Sequence, residues 1–133
     1  MKITNIFKGF VCITFGMVNL VFWGCLVLFF AFFKIIIPFE RSREILSKIL
    51  IELGNGWIKG NNLNMAITQN IHWKVEGLED LKLDEWYVVI SNHQSWVDIL
   101  VLQKIFLGKI PFLKFFLKQQ LIWVPILGPC WWA

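Results

Sequence analysis

From Gly9 to Phe33 the chain carries no charged side chain. A spanning helix needs roughly 20 apolar residues, and this run is longer. A cleaved leader would have a shorter apolar core followed by small residues at a cleavage site. Here Lys34-Ile-Ile-Ile-Pro38 follows instead, so an uncleaved anchor is expected. Lys2 and Lys8 precede the segment, and Lys34, Arg41, Arg43 and Lys48 follow it. The basic excess after the segment places the rest of the chain on the cytoplasmic side. A shallow, re-entrant or interfacial insertion fits the same pattern. Composition agrees with a membrane setting: the 133 residues are 57% hydrophobic, with eight Trp and 13 Phe against one Tyr. The mean hydropathy of +0.63 is far above that of an ordinary soluble domain.

Arg41 to Trp57 predicts an amphipathic helix. Leu46, Leu50, Leu53 and Trp57 recur at helical spacing, while Arg43, Glu44, Ser47 and Lys48 take the other side. Gly54-Asn55-Gly56 and Gly60-Asn61-Asn62 are expected to end it. Such a helix either packs on a core or lies on the bilayer beside the anchor. Further on, Ile71, Trp73 and Val75 alternate with His72, Lys74 and Glu76, the period of a half-buried strand. Gly77 to Glu85 reads as a solvated acidic connection.

The chemistry concentrates in Tyr87–Asp98. A short β-branched run, Tyr87 to Ile90, predicts a buried strand. Ser91-Asn92 breaks it as turn residues do. Ser95 is placed to cap a helix that opens with Trp96 and continues through Phe106. His93 then stands at the mouth of a strand-to-helix turn, with Asp98 in the first turn of the helix. A neutral imidazole titrates near working pH and takes a proton from a hydroxyl. A carboxylate behind it fixes the tautomer and stabilises the imidazolium. No Ser, Cys or Thr is placed as a nucleophile for this His, so the hydroxyl belongs to the substrate. A second reading uses the same residues: Ser95-x-x-Asp98 is a capping pattern, with Asp98 favourable near the helix N-terminus.

Asn92-His93-Gln94-Ser95-Trp96-Val97-Asp98 resembles the His-x4-Asp block of the glycerolipid acyltransferases, in the bacterial 1-acylglycerol-3-phosphate type. A second block follows: Lys118-Gln119-Gln120-Leu121, then Pro125 and Gly128, is similar to the family's Lys-x-Glu-Leu segment, with Gln120 where many members have Glu. The resemblance implies an α/β fold: an N-terminal membrane helix and amphipathic helix over residues 1–60, then an incomplete α/β acyltransferase core over 61–133. It implies His93 as general base, Asp98 as its orienting partner, Asn92 and Ser95 shaping the turn, and Lys118 helping with phosphate. The donor would be acyl-CoA or acyl carrier protein and the acceptor a lysophospholipid, with no metal and no cofactor. The location implied is a bacterial inner membrane, with the site on the cytoplasmic face.

Charge supports lipid rather than nucleic acid as partner. Residues 1–98 carry nine basic and nine acidic side chains, so the net charge of +4 comes from Lys104, Lys109, Lys114 and Lys118. Phe, Leu and Ile surround these lysines, which fits a snorkelling rim or attraction to anionic lipid. Cys12, Cys25 and Cys130 show neither metal-ligand nor disulfide spacing. No arginine follows Arg43, and the Arg-bearing and Pro-Glu-Gly-Thr-like blocks of the family are not found. The sequence therefore looks like the N-terminal part of such an enzyme, expected to be inactive by itself. The alternative is a non-catalytic membrane-anchored fragment or interaction protein that keeps the His-Asp turn as structure.

Overall fold

The structure, a computed structural model, describes residues 3–92, 94–116 and 118–132. Its elements are helices α1 (Ile3–Ile36), α2 (Glu40–Thr68), α3 (Val97–Phe106) and α4 (Leu127–Trp132), with a 3₁₀ turn at Gln119–Trp123 before α4. The architecture is helical, and among the described residues there is no strand. The expected α/β core is therefore corrected.

The reason lies in pairing. Both runs expected as strands, the alternating residues 71–75 and the β-branched apolar 87–90, have no regular secondary structure, and no backbone hydrogen bond between described residues joins either to a neighbour. A β-branched, period-2 pattern describes a surface suited to a sheet, and it becomes a strand only beside a partner. Val88 and Ile90 accordingly stand 88% and 91% exposed. The first run meets α3 through a side chain: the Lys104 ammonium lies 5.0 Å from the centre of a Trp73 ring.

α1 is a continuous helix of 34 residues. Asn5–Ile36 within it, of mean hydropathy 2.2, is long and apolar enough to cross a membrane. It ends before Pro38, as helices usually end before a proline's preceding residue. α2 then runs back antiparallel along α1. Its glycines overturn the expected helix end at Gly54–Gly60. Each costs about 1 kcal/mol in a helix interior relative to Ala, yet the helix continues through them to Thr68. At Gly56 a Cβ would overlap the Trp23 ring of α1, and at Gly60 it would overlap the Asn19 amide. The glycines are contact points. Gly56 and Gly60 stand four apart on one face, the spacing that lets helices approach closely.

Polar bonds run along the same seam. Asn19 Nδ2 donates to Trp57 O at 3.0 Å and to Asn61 Oδ1 at 2.9 Å. Asn64 Nδ2 donates to Cys12 O at 2.9 Å, and Thr68 Oγ1 to Asn64 O at 2.7 Å. Asn19, Asn61, Asn64 and Thr68 are all buried, while Phe7, Phe10, Ile13, Phe22, Phe29 and Phe32 are more than half exposed. The seam thus carries buried amides, the outer face of α1 is apolar, and α2 keeps Arg41, Arg43, Glu44, Lys48 and Glu52 exposed.

The later elements lean on this hairpin. α3 packs on α2 and α4 on α1. Phe112 sits against Gly54, where a Cβ would fall 2.8 Å from its ring. Ile126, at φ 68°, directs its side chain into the space left by Gly24 of α1. A β-branched residue rarely takes such a φ. Cys130 Sγ, 3.7 Å away, donates to Gly24 O.

If the close approach is what holds the hairpin, a side chain at Gly60 should cost more than the loss of one bond. Asn19→Ala removes two bonds of the kind that contribute roughly 0.6–1.7 kcal/mol between membrane helices. Gly60→Leu must separate the helices. Thermal unfolding in detergent should show a lower midpoint for Gly60→Leu than for Asn19→Ala, and both below the parent. A Gly60→Leu protein as stable as the parent would show that the helices are not in contact there.

Candidate active site

The segment from Tyr87 to α3 is built from the loop before it. Lys82 Nζ donates to Glu85 Oε1 at 2.7 Å, and Tyr87 Oη donates to Glu85 Oε2 at 2.9 Å. The Lys82 amide donates to Tyr87 Oη at 3.0 Å, closing the loop. The Lys82 ammonium, and then the Tyr87 hydroxyl, hold the Glu85 carboxyl below the usual glutamate range. The acidic connection thus fixes where the extended run begins.

At its far end the run meets the turn that opens α3. Asp98 Oδ2 accepts from the backbone amides of Gln94 at 2.6 Å and Ser95 at 2.8 Å. Ser95 Oγ accepts from the Val97 amide at 3.2 Å, and the Asp98 amide donates to Ser95 O at 3.1 Å. This is the reciprocal capping arrangement the spacing predicts, with α3 beginning at Val97. His93 lies outside the described residues. Asn92, Gln94 and Ser95 are exposed on the surface beside it in sequence.

An open groove of about 1030 Å³ runs alongside. Its walls include Ser91 and Trp96, which flank the turn, and Lys118, Gln120 and Leu121 of the second sequence block. Trp96 of the first block and Lys118 of the second therefore line one space. Of the residues singled out from sequence, Lys118 lines it. Asn92, Ser95 and Asp98 do not; Ser95 and Asp98 make the turn that opens α3. The rest of the wall is largely apolar, from the extended runs around Val88 and Phe115 and from Ile99 and Leu102 of α3.

Two residues escaped the sequence reading. Gln103, between Leu102 and Lys104 in α3, is 5% exposed. Beside a lysine in a helix it carries no sequence signal of burial. Lys114 was seen only as part of a basic rim, yet it lines two cavities. No group of His, Cys, Asp and Glu among the described residues is arranged to hold a metal ion.

The turn's dependence on Asp98 is directly measurable. Asp98→Ala removes the acceptor of two amides, a loss worth about 0.5–2 kcal/mol when an N-terminal cap is deleted. Hydrogen exchange at the Gln94 and Ser95 amides should quicken accordingly, with α2 unaffected. Unchanged exchange at those two amides would show that the carboxylate does not hold the turn.

Comparison with known proteins bears on the same part of the chain. No curated protein and no solved structure matches it. The family model described as Acyltransferase matches residues 72–133, which contain the Asn92–Asp98 block, the groove walls and the Lys118–Gly128 block. That stretch, with its turn held by Asp98 and residues of both blocks on one groove, is similar to the acyltransferase family and, by that resemblance, to a transferase.

Proposed function

We propose that the chain is a membrane-bound acyltransferase acting on lysophospholipids. It would carry an acyl group from acyl-CoA or acyl carrier protein to the free hydroxyl of a lipid such as 1-acylglycerol-3-phosphate. The observation that carries the reading is the family match over residues 72–133, which includes the only His-x4-Asp block in the sequence. Residues 1–60 would serve as the membrane part and 61–133 as part of the transferase domain.

The roles follow from the chemistry. His93 takes the proton from the acceptor hydroxyl as its oxygen attacks the thioester carbonyl. The carbon–sulfur bond then breaks, and the departing thiolate takes up the proton. Asp98 holds the imidazole in the competent tautomer and favours the imidazolium while it exists. Asn92 and Ser95 shape the turn that presents His93. Lys118 in the groove wall offers charge to an acceptor phosphate, and the apolar walls suit a hydrocarbon chain. This transfer uses neither metal nor cofactor. The apolar outer face of α1 supports seating in a bilayer. The positive excess after α1 favours a bacterial inner membrane with the site on the cytoplasmic side.

One observation favours a non-catalytic reading. Asp98 already serves as a structural cap, which a membrane-anchored interaction protein would also need. Variants separate the two. In acyl transfer to lysophosphatidate, measured with labelled acyl-CoA on the protein in its natural membrane, His93→Ala should remove turnover. Asp98→Asn should retain a fraction of it, since general-base catalysis is worth about 10²–10⁴-fold and Asn keeps part of the turn. Near-parental rates in both, with unchanged helix content, would leave only the capping role.

The membrane seat has its own test. After washing with high salt and with carbonate, the protein should remain in the membrane fraction. Release by salt alone would mean that the hairpin does not enter the bilayer.

A further inference from the structure

The register of the hairpin sets the height of each charge on α2. Asn64 meets Cys12, Gly60 and Asn61 meet Asn19, and Gly56 meets Trp23. Lys59 lies between Gly56 and Gly60, so it stands level with Asn19–Trp23, at the middle of α1. Lys59 is exposed, and no ion pair joins it to a described residue. Glu52, also exposed, lies roughly 10 Å further along the hairpin. Any run of about 20 residues taken from Asn5–Ile36, the length a crossing helix needs, contains Asn19–Trp23. An upright α1 would therefore hold Lys59 within the hydrocarbon wherever the bilayer sat. Charges at that depth face a protein interior or a water-filled cavity, and lysines snorkel out only from near helix ends. Lys59 does neither: it points away from α1 and lines neither of the two cavities bordered by Lys114.

The two outer faces agree with a different seat. By helical periodicity Arg41, Glu44, Lys48, Glu52 and Lys59 fall on one stripe of α2, opposite its glycine and asparagine seam, and all are exposed. On α1, Phe10, Met17, Val21 and Phe32 fall on one stripe opposite Cys12, Asn19 and Trp23, and are 43% to 68% exposed. One side of the hairpin is thus apolar along its whole length, and the other is charged along most of it. We infer that the hairpin does not cross the bilayer but lies within one leaflet. α1 lies beneath, with the Phe10–Phe32 stripe in hydrocarbon, and α2 lies above it, with the Arg41–Lys59 stripe among headgroups and water. Interfacial helices bury an apolar face about 5–10 Å deep in this way. The inference rests on the membrane seat proposed above and says how that seat is built. Both ends of α1, and everything after Thr68, then stay on one side of the membrane.

The test reads depth and sidedness, so it separates the inference from the seat itself. A protein washed off by salt fails the seat; one that stays and crosses fails only the inference. In the full chain, with its three cysteines replaced by alanine, Phe10→Cys, Val21→Cys, Phe32→Cys and Lys59→Cys are made singly and spin-labelled in liposomes. Collision with oxygen, which concentrates in hydrocarbon, is compared with collision with a water-soluble nickel chelate. The labels at 10, 21 and 32 should share one depth, and the label at 59 should collide with nickel several-fold more often than the label at 21. A label at 21 deeper than those at 10 and 32 would overturn the inference. So would a label at 59 shielded from nickel, whether by lipid or by a second copy of the chain. Sidedness gives an independent reading in membrane vesicles of a single orientation. A membrane-impermeant maleimide should modify Asn5→Cys and Glu40→Cys from the same face. Modification from opposite faces would show that α1 crosses.

Discussion

Asn19 joins the two long helices by donating both protons of its amide across the seam, to Trp57 O and to Asn61 Oδ1. It can do so because Gly60 has no side chain to keep it away. In water such bonds compete with solvent and add little. Where helices pack in lipid there is no hydrophobic drive to associate, and small residues and polar bonds of this kind decide the packing. Everything after Thr68 rests on this hairpin: α3 on α2, Phe112 on Gly54, and α4 on Gly24.

The apolar segment, the amphipathic face of α2 and the start of α3 were legible in the sequence because each is a local pattern. Leu46, Leu50, Leu53 and Trp57 fall on the half-buried side of α2, and Ser95 and Asp98 make the capping bonds their spacing predicts. The extent of α2 was not legible. Gly54, Gly56 and Gly60 look like helix breakers until the partner helix is in place, and only then does the lost Cβ become a gain in contact. Ile71–Val75 and Tyr87–Ile90 misled in the opposite direction. Their residues fit a sheet, but a strand is a property of two segments, and neither run is paired among the described residues.

The turn at Ser95 and Asp98 was legible in the sequence, and the groove beside it was not. Sequence placed Asp98 and Ser95 in one turn and Lys118 in another block. It gave no sign that Ser91, Trp96 and Lys118 would border one groove, since that depends on how the 3₁₀ turn and α4 fold back. Nor did it mark Gln103, whose burial follows from α3 packing on α2. Within the proposed acyl transfer, this arrangement sets a hydroxyl-activating turn at the edge of an apolar groove. The hairpin would hold both at the bilayer where the acceptor lipid resides.

The hairpin is the claim on which the rest depends, and cysteine proximity tests it most directly. Cys12 O accepts from Asn64 Nδ2, so residue 64 of α2 lies against residue 12 of α1. In a protein lacking Cys25 and Cys130, reconstituted in liposomes, Asn64→Cys should form an oxidative cross-link with Cys12 within the chain. A cysteine at Glu44, near the other end of α2, should not. Cross-linking at both positions, or at neither, would contradict an antiparallel hairpin closed along the asparagine and glycine seam.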